Sequence, residues 1–254
     1  MTGRSKKLQP DTEKEMVFII GTGRSGTHFL AGIFDSKDFE LRIERQPTFG
    51  MVVDLATGEF DEGKYQKLVE YFRKIDTRKI IVEKSHPLIW FAERIADDFS
   101  KAKFLITERN TYSVVSSMLN HKGVLAWFRR KDLVFSGNRF LGIINEDILE
   151  SYDSLSLEEK CVLRYLSHYY RGRQLGAKAN FYIVNYGDLV NAKDKTLGKI
   201  EKFIGHAINK NIEIVDNTNK WRDSLTPEQV RNIRNALAKH KGAFAKYYSL
   251  KHNS

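Results

Sequence analysis

A single cysteine, Cys161, occurs among the 254 residues, so no intramolecular disulfide can form. That usage suits a reducing compartment and leads to the expectation of a cytoplasmic protein. Cys161 lies in the helical run Cys161-Val-Leu-Arg-Tyr-Leu-Ser-His-Tyr-Tyr with nothing nearby to activate it, and reads as a small core residue. No apolar run approaches the roughly 20 residues that a membrane-spanning helix requires. Residues 1–15 are polar and lack the apolar stretch of a secretory signal; they are expected to form a mobile tail ahead of one domain over residues 16–254. Repeats and low-complexity tracts are absent. Also missing is any Gly-Lys-Ser/Thr ending of a Walker A loop, which removes the usual lysine and magnesium contacts to a nucleoside triphosphate.

What the chain has in excess is positive charge. Its 42 Lys and Arg against 32 Asp and Glu leave a net charge of +10, which implies an anionic partner such as nucleic acid, a membrane surface or a polyanionic small molecule. The basic residues spread along the whole chain without aromatic interleaving on one face, which argues against nucleic acid. With 41% hydrophobic residues the chain can bury a sizeable core. Apolar strand patterns alternate with amphipathic helical ones, and this order predicts a three-layer α/β fold with a central, mainly parallel sheet and helices on both faces. Strands are expected at 17–20, 39–43, 79–82, 103–107 and 181–184. Helices are expected at 26–34, 63–75, 88–98, 111–121, 157–175, 196–204 and 227–240. Ser156-Leu-Glu-Glu159 and Thr226-Pro-Glu-Gln229 read as capping boxes that fix two helix starts. Residues 123–153 show no regular period.

The segment Val17-Phe-Ile-Ile-Gly21-Thr-Gly23-Arg24-Ser25-Gly26-Thr27-His28 runs from a buried strand through a glycine-rich turn into a helix, an arrangement that offers backbone N–H groups to a phosphate. Gly21 and Gly26 keep the spacing of a P-loop, but Thr27 and His28 stand where lysine and the metal-binding hydroxyl would be, and the cation is Arg24. Further on, Arg109 ends the fourth expected strand and Ser117 follows eight positions later in a helix. Together these residues resemble the PAPS-dependent sulfotransferases, whose loop cradles the 5′-phosphosulfate of 3′-phosphoadenosine-5′-phosphosulfate and whose strand-end arginine and helix serine hold the 3′-phosphate.

The resemblance implies sulfuryl transfer from PAPS to a hydroxyl-bearing small molecule or glycan acceptor, leaving the bisphosphate PAP, with no metal expected. It implies donor contacts from Gly23, Arg24, Ser25, Gly26, Thr27, His28, Arg109 and Ser117. It extends to Tyr186 in Asn-Tyr186-Gly-Asp-Leu, similar to the family's Tyr-Glu-Asp-Leu, and to Lys220 and Trp221. Arg24 and Lys84 are the cations expected to neutralise charge on the leaving phosphate. Two residues compete for the base. Glu44 falls where the tyrosylprotein and heparan-type enzymes carry a glutamate; His86, in Lys84-Ser-His86-Pro, resembles the phenol and steroid branch's Lys-Thr-His-Leu-Pro with its proline one position early. The Gly-Arg-Ser-Gly-Thr loop looks more like the former branch, which includes bacterial enzymes, and favours Glu44. A small-molecule kinase using ATP and magnesium on the same fold is the alternative, and the absent Gly-Lys-Ser/Thr speaks against it. Even without a family, the residues after successive strands (the loop, Glu44, Lys84 and His86, Arg109, Tyr186) would converge, because open parallel sheets bind ligands beyond their strand carboxyl ends.

Overall fold

The computed structural model describes residues 14–250. Most of the expected tail lies outside the described residues. Its last two members, Lys14 and Glu15, are anchored: the Lys14 ammonium donates to the carbonyls of Phe72, Arg73 and Ile75 at 2.7–3.1 Å, closing the otherwise open carbonyl end of a helix.

Five strands, β1 (Met16–Gly21), β2 (Phe39–Ile43), β3 (Ile80–Lys84), β4 (Lys103–Glu108) and β5 (Phe181–Asn185), form one sheet in the order β2-β3-β1-β4-β5. Every pairing is parallel, so the sheet is entirely rather than mainly parallel. β1 begins the chain's path yet sits in the middle, with the connection reversing across it; the crevice above its carboxyl end is thus the switch point at which open sheets take ligands.

Twelve helices surround the sheet among the described residues. The first half contributes α1 (Thr27–Ala31), α2 (Thr48–Thr57), α3 (Glu62–Lys74), α4 (Ala92–Asp98), α5 (Thr111–Leu119) and α6 (Lys122–Arg129). The second contributes α7 (Glu146–Ser151), α8 (Leu157–Leu175), α9 (Tyr186–Asn191), α10 (Lys193–Ile204), α11 (Trp221–Ser224) and α12 (Pro227–Leu250). Successive strand side chains point to opposite faces, so β1 feeds two cores. Phe18 and Ile20 join Leu68, Phe72, Ile95, Val115 and Leu166 on one side; Val17 and Ile19 join Leu30, Leu189, Leu197 and Ile200 on the other. Across the first face, Phe18, Phe104 and Phe181 occupy paired positions and stack at 5.0 and 4.5 Å between ring centres, which locks the register of β1, β4 and β5.

Both capping boxes occur. Thr226 and Gln229 exchange side-chain bonds with each other's amides at 3.1 and 3.0 Å, while Ser156 caps α8 one way only, because Glu159 turns instead to Lys239 and His240 of α12. Three expectations need correction. Residues 123–153 include α7 and, with Lys122, α6; α2 occupies a stretch without an expected element; and α12 runs ten residues past its expected end. Cys161 is buried and burial pushes its thiol up to about 12, as suits a core residue.

Candidate active site

Glu83 and Lys84 complete β3 rather than follow it, which carries Lys84 to the strand's very end. There Ile43 pairs with Lys84, and the next amide, that of Glu44, donates to the Lys84 carbonyl at 2.9 Å. The register therefore sets two side chains 40 positions apart against each other: the Lys84 ammonium donates to Glu44 Oε1. The same oxygen lies 3.3 Å from His86 Nδ1, so the two candidate bases share one hydrogen-bonding system instead of excluding each other. Burial alone would raise the Glu44 carboxyl, but the hydrogen bonds from His86 and Lys84 outweigh it and hold it at about 2. Burial lowers the Lys84 ammonium below its ordinary value, with Glu44 opposing, and takes His86 down to about 4. Arg42 engages Glu40 and Glu83 instead.

Arg24 and Glu44 are the two described non-glycine residues with left-handed backbone, at φ 59° and 45°. Such conformers cost about 1–3 kcal/mol each and persist where surrounding structure holds them, as at functional sites. The loop around Arg24 is shaped by its neighbours. Gly26, at φ 97°, lies so near Tyr186 that a Cβ would stand 2.7 Å from the ring, and Gly23 packs against the His86 imidazole. Ser25 turns inward, its hydroxyl 2.6 Å from that of Thr107, and Thr27 is buried; facing a ligand falls to their backbone N–H groups. His28 is drawn below its usual range by partial burial, Lys84 and Arg24.

On the other side of the loop, a cavity of about 570 Å³ collects Arg24, Arg109, Ser117, Lys220 and Trp221 with further serines and asparagines; no Asp or Glu lines it. Asn110 caps α5 by accepting from the amides of Tyr112 and Ser113; the helix then turns Ser117 to the cavity, while the buried Ser113 donates to the Thr218 carbonyl at 2.8 Å. Arg24 Nε donates to Ser117 Oγ at 3.0 Å, so the loop cation leans toward this cavity instead of lying against the Lys84–Glu44 pair. Arg109 Nη2 donates to the Asn217 carbonyl at 2.5 Å, its guanidinium stands 4.6 Å from the Tyr186 ring centre, and its buried Nε has no partner. Trp221 stacks on Tyr112 at 4.7 Å. A larger cavity of about 1000 Å³ adjoins on the far side of Arg109, with Tyr186 and Tyr165 among its walls.

Several neighbours escaped sequence reasoning. Phe49 of α2 and Trp127 of α6 stand 6.3 and 6.1 Å from the His86 ring centre, and His121 caps α6 through Nδ1. Arg164 of α8 reaches His86 from below. For Phe49, Trp127 and His121 the sequence holds no local signal; for Arg164 the signal is a cation inside a run that is otherwise buried. Among the described residues no cluster of three His, Cys, Asp or Glu side chains could hold a metal ion, and no helix is long and apolar enough to cross a membrane.

Two solved structures share this architecture. Mouse sulfotransferase SULT7A1, solved with PAP, is 14% identical over 96% of this chain and 91% of its own, with a TM-score of 0.52. The sulfotransferase domain of the curacin biosynthetic pathway is 14% identical over 90% and 99%, with a TM-score of 0.52. At such identities the likeness speaks for the fold alone. No curated protein matches by sequence. A sequence profile of the Sulfotransferase family does match, over residues 54–210, a segment carrying Lys84, His86, Arg109, Ser117 and Tyr186 and starting beyond the loop and Glu44. Because that match spans more than half of the chain, the protein belongs to the Sulfotransferase family.

Proposed function

We propose that the chain transfers a sulfuryl group from PAPS to a hydroxyl of a carbohydrate, glycolipid or small metabolite, with Glu44 as general base, in the manner of the tyrosylprotein, heparan-type and bacterial branch. The observation that carries this reading is the meeting of an ion-paired lysine and carboxylate with a carboxylate-free, cation-lined cavity on two sides of one glycine-rich loop. The cavity's chemistry fits a phosphate: Arg109 keeps one buried N–H unpaired, and Arg24, Ser117 and Lys220 surround the same space. PAPS, when bound, supplies the sulfuryl group and a leaving phosphate.

In this reading Arg109, Ser117 and Lys220 hold the 3′-phosphate, and the loop's amides hold the 5′ side. Lys84 leaves Glu44 to neutralise charge on the oxygen between sulfur and phosphorus as the bond from sulfur to that oxygen breaks and the phosphate departs with it. Glu44, freed of its cation, takes the proton of the acceptor hydroxyl while the acceptor oxygen bonds to sulfur. Phe49 and Trp127 flank that position and form the acceptor's walls. His86 is buried, with both ring nitrogens engaged, and in this reading holds Glu44 rather than touching the acceptor. As an expectation from composition, the enzyme acts in the cytoplasm and binds no nucleic acid.

The direct test is ligand stabilisation. PAP at about a hundred times its dissociation constant adds about 2.7 kcal/mol, raising the melting temperature by roughly 5 °C without metal. A larger shift with ATP that disappears on adding EDTA overturns the reading in favour of a kinase.

A further inference from the structure

Arg164 is a buried cation without an anionic partner. Its side chain is 1% exposed, and its electrostatic partners are Cys161 and Tyr152 rather than any carboxylate. A fold gains nothing from such a group, since an uncompensated buried charge is costly and an apolar residue would pack more cheaply. Its bonds show where it is used. Arg164 Nη1 donates to the Phe140 carbonyl at 2.7 Å, Nη2 reaches the loop carbonyl of Thr22 at 3.5 Å, and Nη2 also lies 3.3 Å from His86 Nε2. The guanidinium lies against the rings of Phe140 and Trp127, 3.9 and 5.0 Å from its carbon, and the two rings meet edge to face at 4.8 Å.

A guanidinium only donates, so His86 Nε2 must accept. The imidazole hydrogen then sits on Nδ1, which faces Glu44 Oε1 at 3.3 Å and donates to it. We infer that Arg164 is a positioning residue: it locks His86 in the Nδ1–H tautomer that aims the Glu44 carboxylate, and it ties the glycine-rich loop at Thr22 and the acceptor wall at Trp127 to that carboxylate. The inference rests on Glu44 being the base. Among the charged or titratable groups facing His86, Lys84 and Arg164 oppose a second proton and His168 on α8 is itself kept neutral by burial; Glu44 alone favours one, and burial outweighs it.

Long-range proton–nitrogen spectra of the histidine side chains test the lock in the full chain, with H86N serving to assign the resonance. His86 is expected as the neutral Nδ1–H form from about pH 5 to 8, with and without PAP. In R164M that tautomer is lost in favour of a mixture, the acidic limb of kcat moves upward in pH, and kcat falls about 10- to 100-fold, the range typical when a group orienting a reactive residue is removed. PAP affinity stays within about twofold, because Arg164 lines neither of the two cavities beside the loop. R164K, which keeps one donor, recovers part of kcat. An Nε2–H or imidazolium form in the native chain overturns the lock even if R164M fails to fold. So does an R164M enzyme with native tautomer and native kcat. The tautomer is read without substrate, so its failure is distinct from failure of the native chain to bind PAP, which would overturn the sulfotransferase reading itself.

Discussion

At one end of the cleft Lys84, Glu44 and His86 satisfy one another; at the other, Arg24, Arg109 and Lys220 border a cavity with no carboxylate on its walls. The first end is closed upon itself by β2–β3 register and a strained Glu44 backbone. The second is held open, with Arg109 anchored by a carbonyl and an aromatic ring while part of its donor capacity goes unused. On the proposed reading, the donor-free protein keeps its reacting groups ion-paired and leaves its phosphate-binding groups without a carboxylate partner on the cavity wall. On that reading an arriving donor competes with Glu44 for Lys84, whereas at Arg109 it meets a backbone carbonyl and no carboxylate on the cavity wall.

Separating the ends is the sharpest way to break this contrast. E44Q is expected to lower kcat by about 100-fold or more while PAP affinity holds nearly constant, since the carboxyl meets the acceptor and not the nucleotide. A comparable loss of PAP affinity, measured by calorimetry, would merge the two ends into one. H86N probes the closed end through acid stability. His86 is held near 4 in the fold against 6.5 in the unfolded chain, so between those values the unfolded chain binds more protons and stability climbs with pH. The contribution, about 3 kcal/mol, is complete above pH 6.5 and is lost as pH falls toward 4. Urea midpoints followed across that window should slope steeply in the native chain and much less in H86N.

The open end answers to nucleotide binding. R109A should weaken PAP by about 1.5–3 kcal/mol and S117A by about 0.5–1.5 kcal/mol, with 5′-adenosine monophosphate little affected by either. Equal losses for both nucleotides would show that the pair supports the fold instead. A separate effect, on stability rather than binding, lies on the divide itself: G26A puts a side chain into left-handed backbone and into the Tyr186 ring, at about 1–2 kcal/mol. A fully stable G26A would mean that the loop can shift without the ring.

The open end was written in the sequence more plainly than the closed one. Buried parallel strands are near-continuous apolar runs, and all five strands appeared within two residues of their positions; Arg109 and Ser117 were marked by the resemblance, whose strand-end arginine and helix serine they match in spacing. Lys84 and Glu44 were visible as residues but not as a pair, since only strand register joins positions 40 apart. α2 escaped because Thr48-Phe-Gly-Met-Val-Val mixes glycine with β-branched residues and no side chain caps its start; tertiary packing of Val52 and Leu55 makes it a helix. α6, eight residues long, is below the length that periodicity resolves, and Trp127 was hidden with it. Arg164 sat in a correctly expected helix and stood out there as a cation in an apolar run, but residues 160–168 are buried on every side, so the sequence did not show which neighbours it meets.

Three cations around a cavity without acidic walls also set the tempo of encounter. Their fields add, and a ligand bearing several phosphate charges is drawn in before any hydrogen bond forms, which raises the association rate and leaves departure to local bonds. Raising ionic strength shortens the reach of that field to about 8 Å near 0.15 M, so salt should slow capture of PAP far more than it hastens release.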